Sequence, residues 1–278
     1  MKRLLAALLL CATGTVCINQ AFAADRPALP ERIASTKKVR IAVNAGFPPM
    51  EMRDPKTNDI VGFDIDLGNA IAQELGLETE WVDGVFDQMI PSLISKRVDL
   101  IMSGMSDLTE RQATVDFIDY LKSGSQAFAM TNGPINTVED LCGQKVSVSQ
   151  GTSLPVDVGQ WSDKTCVAKG RPAVQIVLDN NLGQEIINLT QGRAVAAVQA
   201  LEGIDLILQQ QKGAMKMVGE PIVVNHTGIA FRKDDVQLRD AFMAALKKKY
   251  ADGTYQKLLE KWNISAAAYP QPTINTAE

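Results

Sequence analysis

Two hydrophobic patterns take turns along this chain. Short apolar or alternating runs at residues 39–43, 78–83, 100–102, 125–130, 145–149, 174–178, 194–198, 215–218 and 222–231 predict strands. Between them, apolar residues recur at helical spacing. Leu67, Ala70, Ile71 and Leu75 follow Asp64, an expected N-cap, and stop at Gly76. Asp87 is expected to cap a helix with Ile90, Leu93 and Ile94 inward, where Pro91 is tolerable in the first turn. Further helices are predicted at 182–191, 202–211, 236–250 and 255–262. Residues 44–49 include Gly46, Pro48 and Pro49 and read as a turn that no helix or strand can contain, residues 24–38 as a loose leader, and those from Ala266 as a tail.

Strands alternating with helices indicate an α/β fold. Its order repeats. Helix, basic junction Lys96-Arg97 and strand 98–102 are echoed by helix 182–191, Gly192-Arg193 and strand 194–198, which puts Gln199 and Ala200 where Ser103 and Gly104 stand in the first copy. Two similar lobes follow: residues 31–128 with 223–278 as one, 129–222 inserted as the other. Two connections between two lobes make a hinge.

The first copy carries the clearest chemistry. Its apolar strand breaks into a small polar turn at Ser103 and Gly104, and a helical segment bearing Arg111 follows. Open α/β sheets bind ligands beyond the carboxyl ends of strands, where a helix N-terminus can meet an anion. The guanidinium there offers a planar fork of donors to a carboxylate. The competing reading is a surface arginine that screens Asp107 or Glu110.

Composition narrows the classes. Lys2-Arg3, the apolar run 4–10 and Ala21-Phe22-Ala23 form a signal peptide at residues 1–23, cleaved near Ala23, so the mature chain is expected in the periplasm. Leu10 and Val16, not small residues, precede Cys11 and Cys17, which argues against a lipid anchor. About 255 of the 278 residues remain, room for two lobes. Loss of Lys2 and Arg3 moves the net charge from −4 to −6 (−4 − 2), which speaks against nucleic acid or anionic membrane as partner. Cys142 and Cys166 remain and are expected to form a disulfide, worth about 3–3.5 kcal/mol for a loop of roughly 25 residues. With one histidine, His226, and no Cys/His cluster, neither a metal nor a cofactor is expected. His226 itself reads as a hinge or packing residue.

Several longer motifs occur in order: Val61-Gly62-Phe63-Asp64-Ile65-Asp66-Leu67, Ile90-Pro91-Ser92-Leu93, Met102-Ser103-Gly104-Met105-Ser106, Glu110-Arg111, Asp116-Phe117, Gln150-Gly151-Thr152-Ser153, Ile229-Ala230-Phe231-Arg232-Lys233 and Asp252-Gly253-Thr254-Tyr255. In these the chain resembles the bacterial extracellular solute-binding proteins of polar amino-acid ABC importers. The resemblance implies a bilobal periplasmic-binding-protein fold of type II, a two-strand hinge, a monomer that closes over a small solute, and an inner-membrane permease as partner. It puts Arg111 on the ligand α-carboxylate, and Gly104 and Ser106, with Ser103 beside them, against the ligand. Thr152 and Ser153, just past Ser149, fall on the second lobe's carboxylate turn. Phe47 and Phe86 fall on an aromatic wall, and Asn44 where many members carry aspartate. Asp64 and Asp66 belong to the signature but are expected to act as helix caps and dipole charges; Asp107, Trp81 and Trp262 are expected to be structural.

Two departures from the family pattern bear on the ligand. Leu108 stands where many relatives have a threonine near the carboxylate, and Ala200 where an aspartate usually pairs with the ligand ammonium. An unpaired buried ammonium costs about 3–5 kcal/mol, roughly two to three and a half decades of affinity. Glu202 and Glu51 are the acids that can take over; otherwise the solute is a carboxylate whose nitrogen is substituted, displaced or absent. Two alternatives follow from the same resemblance. One is a cyclohexadienyl-dehydratase-like enzyme, using Glu202 or Glu51 as acid. The other is a separate sensor partner of a membrane receptor.

Overall fold

The computed structural model describes residues 28–277; the signal-peptide reading of residues 1–23 lies outside them. The fold is built on one strand, Val115–Met130, buried along its length except at Lys122 and partly at Met130. Before Lys122, Ile118, Tyr120 and Leu121 enter a core with Phe63, Leu67, Ile71, Phe231 and Phe242. After it, Ala127 and Ala129 enter another with Val146, Val148 and Val198. A strand buried on both faces belongs at the centre of a sheet. Val223–Arg232 runs antiparallel beside it, Val223 opposite Ser125 and Arg232 opposite Val115, with a bulge between Thr227 and Gly228.

This pair joins the halves of a 10-stranded sheet. On one side Lys38–Val43 pairs in parallel with Glu78–Asp83 and with Leu100–Ile101; on the other, Lys145–Ser149 pairs in parallel with Gln175–Asp179 and with Ala196–Ala200. Parallel neighbours need crossovers. Helices Phe63–Leu75 and Met89–Ile94 supply them in the first half, Leu154–Thr165 and Leu182–Thr190 in the second. Cys142 and Cys166 are joined in a disulfide that ties the start of the second half to the end of its first helix.

The structure corrects several sequence expectations. The leader contains a helix, Glu31–Thr36, which buries Ile33 in the first core. One apolar residue is too little periodicity to announce a helix. The tail contains a strand, Ala268–Ile274, paired with Val115–Met130, and Ala277 N–H reaches Asp107 Oδ2 at 3.1 Å. Its prolines are tolerable because it lies off the main path of the sheet. The 44–49 turn holds a two-residue strand, Gly46–Phe47, pairing with Glu51–Arg53, and the Pro48–Pro49 bond is cis. Neither expected aspartate cap is made. Gly62 and Gln88 hold the N-cap positions, and Asp64 lies inside its helix, fully buried.

Replacing both Cys142 and Cys166 by serine should remove about 3 kcal/mol of stability, the entropy of a closed loop of this length. For a chain of this size that corresponds to a melting point lower by roughly 6–12 °C. Calorimetric melting of oxidised wild type beside the double variant checks it; equal melting points would show that the bridge constrains little.

Candidate functional site

Asn44, Ser103, Ser149 and Ala200 sit at or just past the carboxyl ends of strands from both halves, and all four line one cavity of about 730 Å³. The halves approach each other closely around it. A Cβ on Gly203 would lie 3.4 Å from the Pro48 carbonyl and 3.5 Å from the Phe47 ring, and one on Gly151 would lie 3.6 Å from Asp87 Cβ. The middle of the long strand, Ser123-Gly124-Ser125, contributes to the wall. Gly124 is required there, since a Cβ would stand 2.3 Å from the Val223 carbonyl oxygen.

Arg111 reaches the cavity from the one-turn helix Thr109–Gln112. Its Nη1 donates to the Ser106 carbonyl at 2.9 Å, and its guanidinium carbon lies 5.7 Å from the centre of the Phe86 ring. Among the described residues it forms no ion pair. Burial pulls its pKa below the usual value, partly offset by the fields of Glu110, Asp157 and Asp107. An arginine still carries its charge there, so the cavity holds a desolvated cation with unfilled donors. Its loop is stitched to the strand Val223–Arg232, through Asp107 N–H to the His226 carbonyl, Gly228 N–H to the Met105 carbonyl, and a bridge between Ser106 and Thr227.

The acids are treated differently. Four serines of the wall each donate to a buried carboxylate: Ser103 to Glu51 at 2.8 Å, Ser123 to Glu202 at 2.7 Å, Ser125 to Asp157 at 2.5 Å and Ser149 to Glu185 at 2.6 Å. Desolvation raises all four pKa values, those of Glu185 and Glu202 to about 7. Glu51 is pushed well up, first by burial and then by Asp64. Asp64 is itself raised to about 6 by burial, while hydrogen bonds from Tyr120 Oη at 2.6 Å and Gly104 N–H at 2.8 Å restrain it. These bonds replace the capping expected of Asp64: it fixes the turn at Gly104. That residue has φ +53°, and a Cβ on it would come within 2.6 Å of the Phe47 ring.

Of the residues expected at the ligand, Asn44, Phe47, Glu51, Phe86, Ser103, Gly104, Ser106, Arg111, Ser149, Thr152 and Ser153 line this cavity. Glu202 does not. It packs beneath Ser123, 6% exposed, with Oε1 partnerless among the described residues. Glu51 lies on the wall but is wholly buried, and the Gly104 amide is committed to Asp64. Sequence reasoning missed Ser123, Ser125, Asn180, Asn181 and Asn225 as lining residues. The first two were legible as small polar residues interrupting an apolar strand. Asn181 was legible as the N-cap whose side chain accepts from Gln184 N–H.

Two α/β halves on a shared pair of strands, enclosing a cavity with a desolvated cation on one wall, define a bilobal solute-binding protein. Comparison with known proteins gives the family: residues 39–265 match the model for bacterial extracellular solute-binding proteins, family 3, and the chain belongs to that family. It is 34% identical over 252 residues to the lysine/arginine/ornithine-binding periplasmic protein of Escherichia coli (strain K12), covering 86% of this chain and 90% of the relative. To the histidine-binding periplasmic protein of Salmonella typhimurium (strain LT2) it is 33% identical over 242 residues, covering 82% and 88%. Among solved structures, an ancestral arginine-binding protein bound to glutamine superposes with a TM-score of 0.72 at 33% identity, over 82% of this chain and 98% of that one.

The buried acids set a pH dependence. A carboxyl whose pKa is raised on folding binds more protons folded than unfolded, so its contribution is complete below the unfolded value, near 4.3 for Glu, and is lost as pH rises through the folded one. With Glu185 and Glu202 at about 7 and Asp64 and Asp119 at about 6, the ligand-free protein should lose stability steadily from pH 5 to 8. Asp252, lowered to about 2, acts in the opposite sense only below this window. Melting points across the range test this, and E202Q should melt roughly 2–4 °C above wild type at pH 8 but not at pH 5. A melting point that climbs from pH 5 to 8 would contradict it.

Proposed function

We propose that this protein is the periplasmic substrate-binding component of an ABC importer, and that it captures an amino-acid-derived carboxylate on Arg111 for delivery to an inner-membrane permease. The observation that carries the reading is the Arg111 guanidinium, held in the cavity without a carboxylate partner. A ligand carboxylate supplies the missing charge and takes two parallel N–H donors. Export by a signal peptide at 1–23, action as a monomer, and lobes of 31–128 with 223–278 and of 129–222 belong to the same reading. The division is supported by the two cores that the long strand enters on either side of Lys122.

The relatives' names point to basic amino acids, yet this cavity lacks an acid at position 200. Of the two substitutes, Glu202 stays beneath Ser123 and Glu51 is wholly buried with its pKa raised. Neither is placed to meet an ammonium as a ready anion. We therefore assign a solute whose nitrogen is substituted, displaced or absent. The same placement favours binding over turnover, since an acid that protonates a substrate must reach it.

Calorimetry against the standard amino acids and against carboxylates lacking a free α-ammonium tests the class. Submicromolar binding of a standard amino acid by the E51Q/E202Q double variant would sink the proposal on the nitrogen. For the best-binding carboxylate, R111A should weaken affinity by roughly 30-fold to several thousandfold, the about 2–5 kcal/mol of an enclosed charge pair. R111K should recover part of this, keeping charge without the fork. Unchanged affinity in R111A would show that the carboxylate sits elsewhere.

A further inference from the structure

Gln199 ends the second half's central strand, beside Ala200, and it lines the cavity. Its side chain is held in one orientation. Nε2 donates to both oxygens of Glu185 at 2.9 Å and lies 3.1 Å from Ser149 Oγ. While Glu185 is ionised its oxygens only accept, and turning the amide over would set the Gln199 carbonyl against them, so this buried carboxylate determines which face of Gln199 is presented. Oε1 is the face that remains. It has no hydrogen-bond partner among the described residues, and Gln199 lines the cavity. A neutral, fixed acceptor thus stands next to the position where the ammonium-pairing acid is missing.

Resting on the reading of Arg111 above, we propose that Gln199 is a specificity-determining residue that accepts a hydrogen bond from the secondary amide N–H of an N-acylated α-amino acid, with Glu185 as its positioning residue. Three observations converge on that class. The carboxylate goes to Arg111, the only lining arginine or lysine among the described residues. A neutral N–H matches a neutral carbonyl, and no acid of the second half lines the cavity beside it to pair with an ammonium; the exposed acid of the lining, Asp87, belongs to the first half. The acyl group takes the space beyond: about 730 Å³ falls in the range of pockets for drug-sized ligands, and Val85, Phe86, Leu182 and Ile207 give it apolar contacts.

The test uses the mature protein and defined probes: N-acetyl-L-glutamine, N-acetyl-L-leucine and N-acetyl-L-phenylalanine, the corresponding free amino acids, and the ester analogues in which oxygen replaces the amide N–H. By calorimetry, wild type should bind the best N-acetyl probe at least tenfold more tightly than its free amino acid and than its ester analogue. Q199L should lower the amide-over-ester ratio to near one, as should E185Q, which frees the amide to turn, while the ester's affinity stays within a few-fold. An undiminished ratio in Q199L overturns the proposal, as does failure of every N-acetyl probe to bind at millimolar concentration. The wild-type amide-to-ester comparison needs no variant and overturns it alone if the two bind equally. R111A separates the two levels. Loss of both amide and ester in R111A with an unchanged ratio in Q199L defeats only the role of Gln199, whereas retention of both in R111A defeats the carboxylate reading itself.

Discussion

A guanidinium withdrawn from water and left without a counter-charge is unstable unless something nearby compensates it, and most of this cavity is arranged around that difficulty. Arg111 has a carbonyl, an aromatic face and the distant fields of three acids, enough to hold the side chain but not to saturate it. Any carboxylate free to swing into the cavity would pair with Arg111 and close the site. The buried acids Glu51, Glu202, Asp157 and Glu185 are prevented from doing so, each engaged by a serine and pushed toward its neutral form by burial, whereas Asp87 is the exposed acid of the lining. The cavity therefore presents its cation and withholds its buried acids.

The same cation is coupled mechanically to the joint between the halves. Its loop is hydrogen-bonded to Val223–Arg232, one of the two strands that pass between them, next to the bulge at Thr227 and Gly228. The other strand supplies Ser123 and Ser125 to the cavity wall and Gly124 to the close approach with Val223. Hinges are made by a few residues that absorb backbone rotation. Here those strands also border the ligand space, so a charge bound at Arg111 draws on the segments that must bend for the halves to separate.

How much of this was legible in the sequence depends on where each side chain's partners lie. Much of the strand and helix order and the turn at Ser103 and Gly104 followed from local periodicity and spacing, whereas spacing left Arg111 open between ligand and surface and only the family resemblance put it at the ligand. Asp64 did not: an aspartate opening a helix reads as a cap, and only the fold brings Tyr120 and the Gly104 amide to it from residues far along the chain. Nor did the strand Ala268–Ile274, whose prolines look like a tail until a sheet edge is there to receive it. Glu202 fails for a related reason. A residue two places from Ala200 on a helix points away from it, and sequence proximity was mistaken for proximity in space. Gln199 was visible through the internal repeat, but its importance rests on Glu185, which no local pattern connects to it.

Three positions where the resemblance leads one to expect a donor or an acid are altered together: Asn44 for aspartate, Ala200 for aspartate and Leu108 for threonine. Taken singly each reads as drift. Taken as charge, the first two leave two fewer acids around one arginine than the family pattern implies, with Glu51 buried and Asp87 the exposed acid that remains in the lining. On the proposed reading, a zwitterion entering the cavity is attracted to Arg111 at one end and finds no acid at position 200 for the other. A monoanion, on the same reading, pairs with Arg111 and needs no acid at position 200. The substitutions at 44 and 200 therefore act in one direction, and the retained Arg111 gives them their meaning.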